Sequence, residues 1–265
     1  MLDRGRGVPD QEPSSLLIDA VRGAGPRPED DAGREAKKNY AERLSNRVAL
    51  AIAARLRELG LAGCQPDATG GRERQFAGGI GAKKVDVSHA TEEDGLILGV
   101  SVKSISFADR RTRNYQKNLT NRRGDLLAEA TTLHQRFPYA VIGGLFLFDA
   151  GAERDGTGRR PSTVLTAHEY FRAFDRRHSQ SNAVEKFEAL GVLLYRATEP
   201  VACRYFDAGD PGEERPFDAF LRRLLERIAE RNPDRFRFAE GRVISRRLPP
   251  VPTRSDQADD GEGDD

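Results

Sequence analysis

The stretch "VDVSHATEEDGLILGVSVKS", Val85 to Ser104, decides how this chain is read. Two apolar runs, near Lys83–Ala90 and Leu96–Phe107, flank the turn-rich "EEDG" and predict a β-hairpin. Side chains alternate along a strand, so Val85, Val87, Leu98, Val100 and Val102 share one face, while Asp86, Ser101 and Lys103 share the other. A four-residue loop pairs Asp86 with Ser101; a turn made of Asp94 and Gly95 alone pairs it with Lys103. Aspartate is disfavoured inside strands by up to about 1 kcal/mol, so a mid-strand Asp points to a partner or a ligand. The plain structural account of the trio is a cross-strand Asp–Lys ion pair worth about 0.2–1 kcal/mol.

Upstream of the hairpin, Tyr40, Leu44, Val48, Ala51, Ile52 and Leu59 recur at helical spacing and predict a helix over Glu35–Leu59, stopped by Gly60. A Gly-punctuated stretch with one short strand follows, ending in "FAGGIGAKK". Downstream, a polar loop leads to a helix over Arg122–Phe137 with Leu126, Ala130, Leu133 and Phe137 as its buried stripe. "YAVIGGLFLFD", Tyr139 to Asp149, has the continuous apolar content of a strand covered on both faces. Beyond it the pattern predicts a helix over Thr166–Asp175, strands at Val192–Arg196 and Ala202–Phe206, and an amphipathic helix over Phe217–Arg231. These residues carry no nameable chemistry. Their expected roles are to cover the core, to form the face of a homodimer or larger assembly, or to contact a protein partner.

A chain of 265 residues can bury one good-sized core. The expected organisation is a flexible segment 1–33, a core 34–150, a C-terminal extension 151–247 packed on that core, and a disordered acidic tail 248–265. No run of about 18 apolar residues suggests a membrane span, and two cysteines in no paired spacing indicate neither a disulfide framework nor a zinc site, which fits a cytoplasmic protein. The last eleven residues hold six acids and no base, so the rest of the chain stands six charges above the formal net charge of +1. Between Lys103 and Arg136, eight Lys/Arg face three Asp/Glu. A basic working surface suits an anionic partner such as nucleic acid; an Arg-rich solvated surface is the bland alternative.

An Asp on one strand, fourteen residues, then Ser101-Val102-Lys103 on the next, inside a helix–strands–helix–strand order, resembles the PD-(D/E)xK nuclease superfamily over roughly Glu35 to Asp149. Val85 stands where the family's proline is frequently absent, and Ser101 replaces the second acid. The resemblance implies an α/β, restriction-endonuclease-like αβββαβ core with a mixed sheet flanked by helices, followed here by a C-terminal α+β extension. It implies a Mg²⁺-dependent DNA endonuclease serving restriction or defence, with Mn²⁺ as the substitute ion. Some restriction enzymes of the superfamily have SVK at this place and take the missing acid from the following helix, where this chain offers Asp125 and Glu129. Glu129 borders the helix's apolar stripe and is the first choice. The metal would then be held by Asp86, Glu129 and the Val102 carbonyl, with Lys103 orienting or deprotonating the attacking water and Ser101 contributing a hydrogen bond.

The loop "ADRRTRNYQKNLTNRRGD" sets Arg110, Arg111, Arg113, Lys117 and Asn118 around Tyr115, with Arg122 and Arg123 where the helix begins. Cations in a first helical turn oppose the macrodipole, and a bound phosphate would reverse that cost. Tyr115 is the candidate for stacking on a base. In "GGIGAKK", backbone amides backed by Lys83 and Lys84 could approach phosphate, although neither a Walker nor a GxGxxG spacing is present. Glu42 points away from its helix's apolar centre and stays outside the predicted site. Two competing functions remain at this stage: a nuclease-fold module that binds nucleic acid or regulates a partner without catalysis, and a Ser–Lys hydrolase built on Ser101 and Lys103.

Overall fold

The computed structural model describes residues 13–67, 74–77, 81–179 and 182–246. The expected acidic tail and Gly78–Ile80 lie outside them. In chain order the elements are α1 (Pro13–Gly23), α2 (Arg34–Glu58), β1 (Arg74–Ala77), β2 (Ala82–Val85), β3 (Val87–Thr91), β4 (Gly95–Ile105), α3 (Leu119–Arg136), β5 (Val141–Asp149), α4 (Thr163–Phe171), β6 (Ala189–Arg196), β7 (Ala202–Asp207), β8 (Glu214–Arg215), α5 (Asp218–Arg231), β9 (Phe236–Ala239) and β10 (Arg242–Ser245). The architecture is α/β, a six-stranded mixed sheet in the order β3-β4-β5-β6-β7-β8 flanked by five helices.

β4, β5 and β6 run parallel, and antiparallel partners close both sides. The parallel centre is apolar on both faces, as buried parallel strands must be. On one face Val100, Val102, Leu145 and Leu193 pack with Leu44, Val48 and Ile52 of α2 and with Phe220 and Leu224 of α5. On the other, Ile142, Phe146, Phe148 and Val192 pack with Leu126, Ala130 and Leu133 of α3 and Phe171 of α4. The strands after Asp149 extend the same sheet and α5 covers the face that α2 covers, so the residues read as an extension complete the core.

The segment expected to be flexible is corrected in part, because 13–23 form α1, which buries Leu17, Ala20 and Val21 against α2. Eleven residues are too few for a stable isolated helix, so only that packing reveals it. The hairpin is also corrected. The predicted strand Lys83–Ala90 breaks at Asp86, and β2 pairs with β1 in a separate small sheet. Val85 consequently turns to the α3 side with Leu126 and Leu133, while Val87 stays with α2. Thr91 pairs with Gly95 across a three-residue turn, and a bulge at Ile97 brings Val87 opposite Val100. That is the register of the four-residue-loop alternative, reached by a shorter turn plus one extra residue.

Candidate active site

The site begins where β3 stops pairing with β4. Val87 is paired with Val100, and beyond it β4 continues to Ile105 with only β5 beside it. The N–H and C=O of one strand residue point to the same edge, so Val102 presents both to the edge that β3 has left. Asp86 fills that edge: its Oδ2 accepts the Val102 amide at 2.6 Å. A side-chain carboxylate thus replaces a ladder carbonyl, which is the local reason an aspartate tolerates this place in the hairpin. Asp86 lies at the sheet edge rather than on the face it was expected to share with Ser101 and Lys103.

One residue along β4, Lys103 points to the opposite side of the strand from Val102, toward α3. Its ammonium donates to Glu129 Oε1 at 2.6 Å, with side-chain exposures of 17% and 13%. Helical spacing from Leu126, Ala130 and Leu133 puts Glu129 at the margin of the buried stripe, close enough to lean onto the sheet. The second choice, Asp125, is half-exposed and pairs instead with Arg122 at 3.6 Å. The other oxygen of Glu129, Oε2, is buried with no hydrogen-bond partner. An unpartnered buried carboxylate oxygen costs several tenths to a few kcal/mol unless something else meets it.

Ser101 is 1% exposed and does not line the cleft, so the structure keeps it apart from the solvent-facing groups; with Lys103 engaged by Glu129, no hydroxyl–lysine pair of the hydrolase kind is formed. Among the described residues no three His, Cys, Asp or Glu side chains gather as a metal site. Two carboxylates flank this end of β4, Asp86 at the Val102 amide and Glu129 at Lys103, but Glu129 is not among the residues that line the cleft. Hard oxygens of this kind suit Mg²⁺ or Mn²⁺, and the orphaned Glu129 Oε2 is the observation that fits such an ion.

Asp86, Val102 and Lys103 open into a cleft of about 1020 Å³. One wall is the N-terminal half of α2, with Arg34, Lys37, Lys38, Glu42, Ser45 and Asn46; the other is the loop and first turn of α3, with Arg110, Lys117, Asn118, Asn121 and Arg122. The α2 wall was not foreseen. Glu42, left outside the predicted site because it points away from the helix's apolar stripe, lines the cleft and pairs with Lys38 at 3.6 Å. Cleft-facing polar residues share the solvent side of a helix with ordinary surface residues, so periodicity carries no signal for them.

The basic loop is more tied down than its composition suggests. Lys117 donates to Asp109 at 2.5 Å, and that contact, with the amides of Thr112 and Arg111, holds the Asp109 carboxyl well below the usual carboxylate range. Arg113 adopts a left-handed φ of 54°, Arg111 is exposed outside the cleft lining, and Arg123 lies over the Tyr170 ring at 4.8 Å. Tyr115, expected to stack on a base, is corrected. It is 6% exposed, packs in the α3-side core and donates its hydroxyl to Asp149 at 2.9 Å; burial first, then Asp149, pushes the phenol up. An apolar ring flanked by Leu119 and Ala152 is worth more inside than out. Lys83 and Lys84 lie on β2, outside the residues that line the cleft.

No model of a known protein family, no curated protein and no solved structure matches this chain.

Proposed function

We propose that this protein is a metal-dependent nuclease of the PD-(D/E)xK type, with a restriction-endonuclease-like core, that hydrolyses phosphodiester bonds in DNA. The observation that carries the reading is the contact between Lys103 and Glu129, beside the edge at which Asp86 meets Val102. A lysine with one acid from the strand edge and one from the following helix is the set that the superfamily resemblance implies for metal-dependent phosphodiester hydrolysis. Asp86, Glu129 and the Val102 carbonyl would hold Mg²⁺, or Mn²⁺ in its place, and the ion would supply charge neutralisation at the scissile phosphate. Lys103, which lines the cleft, would orient the attacking water by hydrogen bonding. Asn118, Asn121 and Arg122 at the start of α3 would bind backbone phosphate, with Lys37 and Lys38 facing them from α2.

One observation favours a second reading, a nuclease-fold module that binds nucleic acid without cutting it. The residue at the second acid's place is a buried serine, which leaves two side-chain carboxylates, one of them already neutralised by Lys103. Plasmid DNA incubated with the protein, with Mg²⁺ or with chelator, separates the two. The expected result is cleavage with Mg²⁺ only, reduced at least about 100-fold in Lys103→Ala. DNA binding without cleavage in Mg²⁺ and Mn²⁺ would establish the module, and cleavage untouched by the substitution would refute the assignment.

A further inference from the structure

Residues 24–33 join α1 to α2 and run past the end of β4 as a strap carrying three consecutive acids, Glu29, Asp30 and Asp31. Arg27 anchors it. Its guanidinium donates to the Ser106 carbonyl at 3.2 and 2.8 Å, pairs with Asp149 at 3.1 Å and lies over the Phe107 ring at 4.6 Å. Burial works against that charge, but Asp149 and Asp30 outweigh it, so the guanidinium holds its proton more tightly than usual. Beyond the anchor, Lys37 donates to the Asp30 carbonyl at 2.5 Å, and Arg110 donates to the carbonyls of Asp31 and Ala32. The three acids face Asp109, Arg110 and Arg113 across a cavity of about 690 Å³ that adjoins the main cleft.

Two of the cations that line the cleft, Lys37 and Arg110, therefore bond to the strap's backbone, while Asp30 pairs with Arg27 and the carboxylates of Glu29 and Asp31 line the cavity beside Arg110. Phosphate approaching this end of the cleft meets negative charge and donors already in use. We infer that the strap is an autoinhibitory segment that occupies the nucleic-acid path and is displaced when a polynucleotide backbone takes over Arg110 and Lys37. Arg27 remains the fixed end, because it is held by Ser106 just past β4, by Asp149 of β5 and by the Phe107 ring, and it pairs with the strap's own Asp30 at 2.6 Å. The inference rests on the nucleic-acid reading above, and its test separates the two.

The experiment measures binding of a fluorescein-labelled 20-base-pair DNA duplex by anisotropy, in chelator so that no cleavage intervenes. It compares the wild-type protein, Glu29→Gln/Asp31→Asn, and a control, Glu92→Gln/Glu213→Gln, that removes the same charge at the far end of the sheet. Hydrogen exchange of residues 28–34 is followed with and without the duplex. The strap variant is expected to bind about 5- to 10-fold tighter than wild type at about 0.1 M salt, the control no more than about 2-fold, since charges beyond a Debye length of roughly 10 Å are screened. Residues 28–34 should lose amide protection when DNA binds. Equal affinities for strap variant and control, or unchanged or increased protection, would overturn the autoinhibitory role while leaving the nucleic-acid reading in place. Failure of every form to bind the duplex would overturn both.

Discussion

Asp86 does two jobs that one substitution each can separate. Its carboxylate accepts the Val102 amide at the unpaired edge of β4, which is structural, and it lends charge to the cleft, which is chemical. Asp86→Asn keeps an oxygen acceptor for that amide, so it should leave stability within about 1 kcal/mol while abolishing the metal-dependent cleavage proposed above. Asp86→Ala strands a part-buried N–H and should cost about 1–3 kcal/mol in urea unfolding as well. Equal stability of the two variants would mean that water satisfies the amide and the structural account is wrong. At this scale spacing along the helix translated directly into the direction of Glu129, whereas strand alternation misplaced Asp86, because the strand breaks at that residue and its carboxylate turns to the sheet edge. The sequence was a poor guide to Tyr115 and Glu42. An aromatic in a basic loop reads as exposed until a half-buried residue such as Asp149 claims its hydroxyl, and an exposed glutamate on the polar side of a helix gives no sign that a second wall stands opposite it.

Elements were legible in proportion to their length and burial. α2, α3, β5 and α5 lie within a few residues of their predicted spans. β5 was plain since every position from Val141 to Phe148 is buried. Its two central glycines are there for clearance. A Cβ built on Gly144 would stand 2.6 Å from Leu190 Cδ1 and 3.2 Å from the Phe187 ring, and one on Gly143 would stand 3.1 Å from Leu224. Gly144→Ala should therefore destabilise by about 1–3 kcal/mol through overpacking, despite alanine's better backbone propensity. An unchanged urea midpoint would show that Leu190 can move aside. The short β9–β10 hairpin went unread. Its turn, Glu240-Gly241, has φ of 52° and 75°, the left-handed pair such a turn needs, but four-residue strands built around arginines give no alternating signal.

Across the whole molecule, charge is arranged at the two ends of the sheet for opposite purposes. The cleft lies toward the C-terminal ends of β4 and β5. The other end is locked by Glu188, fully buried, which pairs with Arg177 at 3.3 Å, with Arg231 and with His134 at 3.3 Å, and accepts the Ile142 amide at 2.5 Å. These partners come from α3, the stretch between α4 and β6, the start of β5, and α5, so one carboxylate ties both faces of the sheet together. Burial alone would push the Glu188 carboxyl up; His134, Arg231 and the Ile142 amide outweigh it and hold it below the ordinary glutamate value. A depressed folded pKa means the stabilisation is complete above the unfolded value of about 4.3 and is lost as pH falls toward the folded one. Urea unfolding should accordingly weaken from pH 5 to pH 3. Glu188→Gln should flatten that slope and cost about 3–5 kcal/mol at pH 7, since it leaves buried guanidinium groups unpaired. A full slope in the variant would assign the acid sensitivity to other carboxylates.

By itself the sequence determined the α/β class, the hairpin, the two helices that flank it and the residues with chemistry to offer, all of which follow from periodicities that act within one element. Tertiary structure alone decided that β2 and β3 part at Asp86, that Tyr115 is drawn into the core, that the C-terminal strands continue one sheet, and that the 24–33 strap closes against the basic loop. Each of these depends on which element lies beside which. That proximity is set by burying two apolar faces of one sheet at once, a condition no local pattern contains.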